Sequence, residues 1–286
     1  MTPPIVVKVG GGADVDRSAI LADVAELVAG GQPVVVVHGG GPEIDRVSEQ
    51  LGVAPRHLTS ASGTRSRHTD AAALDAMQLA LCGRVKPRIV TGLTRLGVRA
   101  VGLTGLDGPL VVAARKTAIK VVEDGRVRVV RDDRSGRITD VEGRLLETLA
   151  AAGWVPVLSP PACGGADGPL NVDADRMAAA VAAALGAGAA VFLSDVPGLL
   201  RDRDDPTSVV AELCAGDPEA LGWAAGRMRH KVLAAQEARE LGVPTVVIGD
   251  GRLPSPIRSA LAGRGTAIVG GATAVAGDAL EAGAAR

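Results

Sequence analysis

The stretch IVVKVGGG, Ile5 to Gly12, decides the fold of this chain, and VVVVHGGG, Val34 to Gly41, repeats its pattern. Each stretch is a run of mostly β-branched apolar residues that ends in consecutive glycines. Such runs predict strands that are buried on both faces of a parallel sheet covered by helices. Ligands of these sheets bind at the carboxyl ends of the strands, where glycines let backbone N–H groups approach an anion. For either stretch alone, the alternative is an ordinary tight turn with a solvated Lys8.

Composition excludes several classes of function. The net charge of −1 gives no overall basic field for nucleic acid, and one Phe, two Trp and no Tyr leave few rings for base stacking. The three cysteines are widely separated and lack the spacing of a metal site. No stretch reads as an export signal or a membrane span. We therefore expect a soluble, cytoplasmic protein that binds neither nucleic acid nor membrane.

Strand and helix patterns alternate along most of the chain, which predicts an α/β fold: a three-layer αβα sandwich with a mainly parallel central sheet, in two lobes. We expect a first lobe over residues 1–165, a second over 166–269 and a flexible tail over 270–286. Within the first lobe, alternating apolar and charged residues predict a hairpin over about 109–141. The expected strands are 5–10, 34–38, 99–105, 154–159, 189–194 and 244–248. The expected helices are about 16–30, 42–51, 70–96 with a break at Lys86-Pro87, 142–152, 173–186, 217–222 and 226–241, and 52–69 is a loop or hairpin.

Two common nucleotide-binding patterns are absent, because the chain has no GxxxxGK[ST] and neither glycine stretch completes GxGxxG. A different set of motifs occurs in order: VVKVGGG, VVHGGG, SRHTD at 66–70, NVDADRMAAA at 171–180, SDVPGLL at 194–200 and GRMRHKVLAA at 226–235. Together they resemble the amino-acid kinase family, in particular its acetylglutamate kinase branch, from Ile5 to about Val269. Residues 105–130, SPPA at 159–162 and GRMRHK resemble the carrier-protein-dependent kinases of that branch. Acetylglutamate kinases usually have a second glycine where this chain has Arg227.

The resemblance implies transfer of the γ-phosphoryl group of ATP to a carboxylate, and three residues would be catalytic. Lys8 and Lys231 would stabilise the transferring phosphoryl group, and Asp175 would hold both ammonium groups in place and keep them protonated. Only five of the 31 basic residues are lysines, and the others are arginines. This bias favours a role for the lysines at positions where a compact charge is needed. Taken alone, Lys231 could be a solvated helix residue and Asp175 a first-turn residue favoured by the helix dipole.

The remaining site residues are also implied by the resemblance. Glycines 10–12, including Gly10 and Gly11, would bind the phosphates of ATP, and the N–H groups of Gly40 and Gly41 would bind the acceptor. Arg67 would bind the α-carboxylate of the substrate and Asn171 its amide, although a surface arginine and a turn asparagine are the alternatives. The nucleotide would also contact Ser194, Asp195, Gly198 and Leu199. Mg²⁺ would arrive with ATP, so we expect no dedicated metal site in the protein. His38 is expected to be a structural donor.

The segment from Arg115 to Arg137 has eight basic and four acidic residues, a net charge of +4 in a nearly neutral chain. Such a basic hairpin, in particular Arg115, Lys116 and Lys120, could dock a small acidic amino-group carrier protein. A solvated edge hairpin that uses charge against aggregation is the alternative, and nucleic acid is a weaker one.

The function that these patterns predict is ATP-dependent phosphorylation of the side-chain carboxyl of aminoadipate or glutamate. The amino group of that acid would be blocked by linkage to the carrier, and the product would be an acyl phosphate. Two alternatives stay open: an N-acetyl-L-glutamate kinase of arginine biosynthesis and a non-catalytic amino-acid sensor. The resemblance further implies a homodimer formed through a helix at about 70–85.

Overall fold

The computed structural model describes residues 2–10, 17–59, 65–123, 126–217 and 220–270. Its strands are β1 (Ile5–Val9), β2 (Val34–His38), β3 (His57–Thr59), β4 (Arg65–Arg67), β5 (Ala100–Gly105), β6 (Val111–Arg115), β7 (Ile119–Glu123), β8 (Arg126–Val130), β9 (Gly136–Val141), β10 (Val155–Cys163), β11 (Pro169–Leu170), β12 (Ala189–Ser194), β13 (Glu212–Cys214), β14 (Thr245–Asp250) and β15 (Thr266–Val269). Its α-helices are α1 (Arg17–Ala29), α2 (Gly41–Gln50), α3 (Ala71–Ala80), α4 (Lys86–Arg95), α5 (Gly143–Ala151), α6 (Ala174–Ala184), α7 (Ala220–Trp223), α8 (Arg227–Glu240) and α9 (Pro256–Leu261).

One sheet of 11 strands, in the order β13-β15-β14-β12-β1-β2-β10-β6-β9 with β5 and β11 also paired to β10, forms the centre of the molecule. The pairs β14–β15, β10–β11 and β6–β9 are antiparallel, and the other pairs in this sheet are parallel. In the centre, Lys8 of β1 lies opposite Val37 of β2 and Phe192 of β12. The carboxyl ends of three parallel strands therefore meet at one edge, where ligands of such sheets bind.

Helices cover both faces of this sheet. Val6, Val35 and Phe192 belong to the core on one face, under α5, α6 and α8. Val7 and Val36, their neighbours along the strands, belong to the core on the other face, under α1, α3, α4 and α9. Successive residues of one strand thus enter opposite cores, which explains why the strands are apolar throughout. The predicted three-layer αβα sandwich with a mainly parallel sheet is confirmed.

Several boundaries differ from the sequence prediction. Strand β10 continues through Pro160 and Pro161 to Cys163, whereas the sequence predicts its end at residue 159. The helical region after Asp70 is interrupted by a π-helical turn over Leu81–Val85, directly before the predicted break at Lys86-Pro87. Lys86 and Pro87 themselves begin α4. The elements β13, β15 and α9 have 3, 4 and 6 residues, too few for a periodic pattern to be recognised.

The division into two lobes near residue 165 stays a prediction, because the central sheet runs without interruption through both parts of the chain: β1 pairs with β12. Residues 271–286 of the expected tail lie outside the described residues, and so do Gly11 and Gly12 of the first glycine stretch.

Candidate active site

A cavity of about 610 Å³ opens at the carboxyl ends of β1, β2 and β12. Most of the residues predicted from the sequence line it: Lys8, Gly10, Gly40, Gly41, Asp175, Ser194, Asp195, Gly198, Leu199 and Lys231. These residues come from both halves of the chain and meet because the parallel strands end at the same edge. The structure therefore supports one shared site for the first glycine stretch, the second glycine stretch and the lysine-bearing helix α8.

Two buried lysines share one carboxylate oxygen at the floor of this cavity. Lys8 Nζ lies 2.9 Å from Asp175 Oδ1, and Lys231 Nζ donates to the same oxygen at 2.8 Å. Lys8 is in β1, Asp175 is in the first turn of α6, and Lys231 is in the second turn of α8. Helices α6 and α8 pack against each other, and both contribute small buried residues such as Ala178 and Ala235 to the same core. The alanine-rich sequence of α6 thus serves to bring the three charges together.

Burial and mutual attraction set the charge states of this triad. Burial opposes ionisation of Asp175, but the two ammonium groups outweigh it and hold the pKa of the carboxyl well below its ordinary value. Burial likewise opposes the charge on Lys8, yet Asp175 raises the pKa of that lysine. For Lys231 burial dominates and lowers the pKa to about 8. Asp175 offsets burial only in part, because this carboxylate also pairs with Lys8 and the two cations repel each other. At neutral pH the triad has two positive charges and one negative charge.

The second glycine stretch forms the N-terminus of α2, where Gly40 is the N-cap and Gly41 the first helical residue. Backbone N–H groups at a helix N-terminus, together with the helix dipole, attract anions. A Cβ on Gly40 would lie 2.7 Å from Leu81 Cδ2 and 3.0 Å from Val85 Cγ2, so the π-helical turn requires glycine there. A Cβ on Gly41 would fit without overlap, because its nearest atom would be Arg227 Nη2 at 3.7 Å.

His38 supports this glycine stretch as a neutral ring. Burial, together with the charges of Lys86, Arg17 and Lys8, lowers the pKa of His38 to about 3. The neutral ring places Nδ1 2.9 Å from the carbonyl oxygen of Gly39, a distance at which an N–H group donates a hydrogen bond. The expectation of a structural donor is therefore supported.

The side of the cavity that is predicted to bind the nucleotide follows strand β12. Ser194 ends that strand and its Oγ lies 3.4 Å from Asp195 Oδ1. Gly198 and Leu199 belong to the next turn, and the Leu199 N–H donates to Thr266 Oγ1 of β15 at 2.8 Å. A Cβ on Gly198 would lie only 2.8 Å from that same hydroxyl, so Gly198 is also needed for packing.

Arg67 and Asn171 do not line the cavity. Arg67 Nη2 forms an ion pair with Asp45 Oδ1 of α2, and Asn171 Nδ2 donates to Thr69 Oγ1 at 2.9 Å. The two side chains are joined through the segment 67–69, and their predicted roles in substrate binding stay predictions.

One protein family accounts for most of this chain. The family model described as "Amino acid kinase family" matches residues 3–250. A relative from Deinococcus radiodurans, named "[LysW]-aminoadipate kinase", is 47% identical over 92% of this chain and 91% of its own length. The chain belongs to the amino acid kinase family.

A second relative, from Rubrobacter xylanophilus, is named "Acetylglutamate kinase" and is 40% identical over 93% of this chain and 94% of its own length. The crystal structure of smu.665 from Streptococcus mutans UA159 superimposes with a TM-score of 0.73 at 22% identity, over 94% of this chain and 99% of that one, which shows the fold alone. The predicted family is confirmed, and the chain is an ATP-using phosphotransferase with a carboxyl group as acceptor.

In this kinase, the predicted basic hairpin consists of β7 and β8, a separate two-stranded sheet, on a base formed by β6 and β9. Lys116 and Lys120 are exposed. Arg115 is only partly exposed: its Nε donates to the carbonyl oxygen of Asp133 at 3.1 Å and its Nη1 lies 3.5 Å from Asp167 Oδ1. Arg115 therefore holds the base of the hairpin, whereas the two lysines face solvent.

Sequence reasoning missed several residues that line the cavity of the kinase, among them Asp173, Arg203, Trp223, Arg227 and His230. Trp223 could have been found, because it is one of only two tryptophans in the chain. Asp173 caps α6 by accepting from the N–H groups of Asp175 and Arg176. Among the described residues, no cluster of three His, Cys, Asp or Glu side chains could hold a metal ion, and no helix has the length and apolarity to cross a membrane.

Proposed function

We propose that this kinase phosphorylates the side-chain carboxyl of aminoadipate or glutamate whose amino group is linked to a small acidic carrier protein. The products would be an acyl phosphate and ADP. The relative from Deinococcus radiodurans is named for a LysW-linked aminoadipate, and the basic hairpin of this chain offers a surface for an acidic partner. The proposal thus places a protein-bound acceptor at the hairpin side of the cavity.

One observation supports this proposal above the others: hydrogen bonds connect the base of the hairpin to the acceptor residues. Asp133 is buried, and its carboxylate accepts from the N–H groups of Thr69 at 2.9 Å and Ser135 at 2.7 Å. Thr69 in turn accepts from Asn171. Arg115 donates to the carbonyl of Asp133. A carrier that docks on the hairpin would therefore sit on the same hydrogen-bonded unit that positions Asn171.

Electrostatics favours Lys116 and Lys120 as the docking residues. Both are exposed and belong to the positively charged segment 115–137. Exposed charges of this kind steer an oppositely charged partner and fix its orientation more than they raise its affinity. Arg115 stays within the proposed docking set, but its hydrogen bonds predict that it acts mainly through the position of the hairpin.

The reaction needs neutralisation of charge more than proton transfer. An acceptor carboxylate oxygen attacks the γ-phosphorus of ATP, a new P–O bond forms, and the bond to the β-phosphate oxygen breaks with its electron pair leaving on ADP. The carboxylate is already ionised, so no general base is required. Lys8 and Lys231 would stabilise the transferring group, held in place by Asp175. N–H groups of Gly10 and Gly11 would bind ATP phosphates, and those of Gly40 and Gly41 the acceptor.

Mg²⁺ would enter bound to ATP and neutralise phosphate charge. The carboxylate of Asp175 is a poor candidate for a metal ligand, because one of its oxygens already binds both ammonium groups. This donor set fits an ion held mainly by phosphates and water.

The proposal is tested by trapping acyl phosphate with hydroxylamine in the presence of Mg²⁺ and ATP. The acceptors to compare are carrier-linked aminoadipate, carrier-linked glutamate and free N-acetyl-L-glutamate. We expect product from a carrier-linked acid alone. A Lys116→Ala/Lys120→Ala double variant should raise the KM for the carrier-linked acceptor and leave the KM for ATP unchanged, with exposed Arg95→Ala on α4 as the control.

An acetylglutamate kinase is the second candidate, favoured by the 40% identity to the relative of that name. Efficient product from free N-acetyl-L-glutamate would establish it and overturn the carrier proposal. Nucleotide binding without product from any acceptor would instead favour a sensor.

We further propose that the kinase is a homodimer assembled through α3. Leu79 on this helix has 55% of its surface exposed and would offer an apolar contact to a second copy of the chain. Light scattering after gel filtration should give twice the mass of the 28.7 kDa chain, and Leu79→Asp should give the monomer. A wild-type monomer would contradict the proposal.

A further inference from the structure

Arg227 is a cavity residue to which the reaction described above gives no role. It is the first residue of α8, its side chain is exposed, and it lines the cavity together with Lys8, Gly41 and Lys231. Its Nη2 atom lies 3.7 Å from the position that a Cβ on Gly41 would take. The guanidinium thus extends from the helix that contains Lys231 to the glycine stretch on the opposite side of the cavity.

The charges around Arg227 favour an anionic ligand. The N-terminus of α2 bears a partial positive charge. Four cationic side chains line the cavity against three carboxylates: Lys8, Arg203, Arg227 and Lys231 against Asp173, Asp175 and Asp195. Among the residues that the structure describes, no carboxylate forms an ion pair with Arg227. A cation placed against a positive helix end is stabilised when an anion lies between the two. The arrangement therefore predicts a bound anion that contacts both Arg227 and the backbone of Gly41.

In the function proposed above, the two elements that meet here bind different substrates. Gly41 would bind the acceptor, whereas α8 would provide Lys231 on the nucleotide side. A group that belongs to only one substrate would lie nearer to the element that binds that substrate. The phosphoryl group is the one that passes between the substrates, and its three equatorial oxygens bear charge that a planar guanidinium can bind with two N–H groups.

We infer that Arg227 is a further catalytic residue that contacts the phosphoryl group as it moves from ATP to the acceptor carboxylate. This inference rests on the proposed phosphoryl transfer but not on the carrier. Arg227 would add a third cation to Lys8 and Lys231 while the bond to the acceptor oxygen forms and the bond to ADP breaks. No proton is transferred and no further reactant is needed. Arg227 would stabilise the phosphoryl group during its transfer rather than either bound substrate. Replacing Arg227 should therefore lower kcat.

The test compares Arg227→Gln and Arg227→Lys with Arg144→Gln, a control at an exposed arginine in the first turn of α5. We expect Arg227→Gln to lower kcat about 100-fold, with Arg227→Lys intermediate and Arg144→Gln unchanged. The KM for ATP and for the acceptor should stay within about threefold. A kcat within twofold of wild type overturns the inference. A raised acceptor KM at unchanged kcat also overturns it, because Arg227 would then bind the acceptor.

A second measurement does not depend on knowing the acceptor. ADP with Mg²⁺ and aluminium fluoride mimics a planar phosphoryl group, and its affinity can be measured by calorimetry beside that of Mg²⁺-ATP. Arg227→Gln should weaken binding of the mimic at least tenfold more than binding of ATP. Equal effects on both overturn the inference. A wild type that binds the mimic tightly but phosphorylates no acceptor overturns the proposed acceptor only.

Discussion

Lys8 and Lys231, 223 positions apart in the sequence, place their ammonium groups on the same oxygen of Asp175, at 2.9 and 2.8 Å. All three side chains are buried, and the sum of their charges is positive. Burying charges is unfavourable unless they are paired, so the excess cation is stabilised fully only when an anion binds. The triad therefore favours an anionic ligand such as the phosphate of the proposed reaction, and its stability depends on the one carboxylate.

Replacing that carboxylate should affect both folding and catalysis. Asp175→Asn leaves two buried ammonium groups without a counter-charge, and we expect a loss of about 3–5 kcal/mol in the free energy of unfolding at pH 7. Urea denaturation followed by circular dichroism measures this loss. The deficit should shrink as pH rises from 7 to 9.5, because the buried lysines can then lose a proton. A deficit that does not change with pH would contradict the electrostatic explanation.

The lowered pKa of Lys231 predicts an alkaline limit on activity. Because the pKa of this lysine in the free enzyme is about 8, its charge is present below that pH and is lost as pH rises through it. We expect kcat/KM for ATP to fall above pH 8, whereas kcat, which reports the ATP complex, should fall only at higher pH. In Lys231→Arg the fall in kcat/KM near pH 8 should disappear, whatever the residual rate of that variant. A flat wild-type profile to pH 9.5 would show that Lys231 stays protonated.

Glycines 40 and 41 offer a matched pair of substitutions. A Cβ at Gly40 would overlap Leu81 and come within 3.0 Å of Val85, whereas a Cβ at Gly41 would make only an ordinary contact with Arg227. We expect Gly40→Ala to lower the free energy of unfolding by about 1–3 kcal/mol, and Gly41→Ala to change it by less than about 0.5 kcal/mol. Thermal and urea unfolding measure both. Equal effects would show that the π-helical turn can move away.

The fold and the triad could be predicted from the sequence because their signals are local. Buried strands appear as apolar runs, and Lys8, Asp175 and Lys231 each lie in a short motif. The pairing of Arg67 with Asp45 could not be predicted, because it depends on how α2 packs beside β4. The same holds for Gly198, whose need for glycine arises from Thr266, 68 residues further on.

The strands at the edge of the sheet could not be predicted from the sequence either. Strands β13 and β15 are short and pair with each other at the end of the sheet, so tertiary contacts rather than a long apolar run define them. The position of Arg227 could not be predicted either, because the sequence at a helix N-terminus does not indicate which loop that helix end will face.

Trp223 provides a direct test of where the nucleotide binds. It lines the cavity and stacks with Arg201, whose guanidinium carbon lies 4.9 Å from the ring centre. Trp154, the other tryptophan, stacks with Arg99 and does not line the cavity. We expect ATP to change the tryptophan emission of wild type and Trp154→Phe equally, and the change to vanish in Trp223→Phe. A signal that follows Trp154 would contradict this placement of the nucleotide.

Asp23 should contribute to stability without a role in catalysis. It is 1% exposed on α1, accepts from the N–H groups of Ile257 at 2.6 Å and Arg258 at 3.0 Å at the start of α9, and pairs with the Arg258 guanidinium. Asp23→Ala would leave these donors unsatisfied, so we expect a loss of about 2–4 kcal/mol in the free energy of unfolding. Glu26→Ala, which removes an exposed partner of the same arginine, should cost less than about 0.5 kcal/mol. Both variants should keep the wild-type kcat at 20 °C below their melting range, and a reduced kcat in folded Asp23→Ala would show that α9 supports the active site.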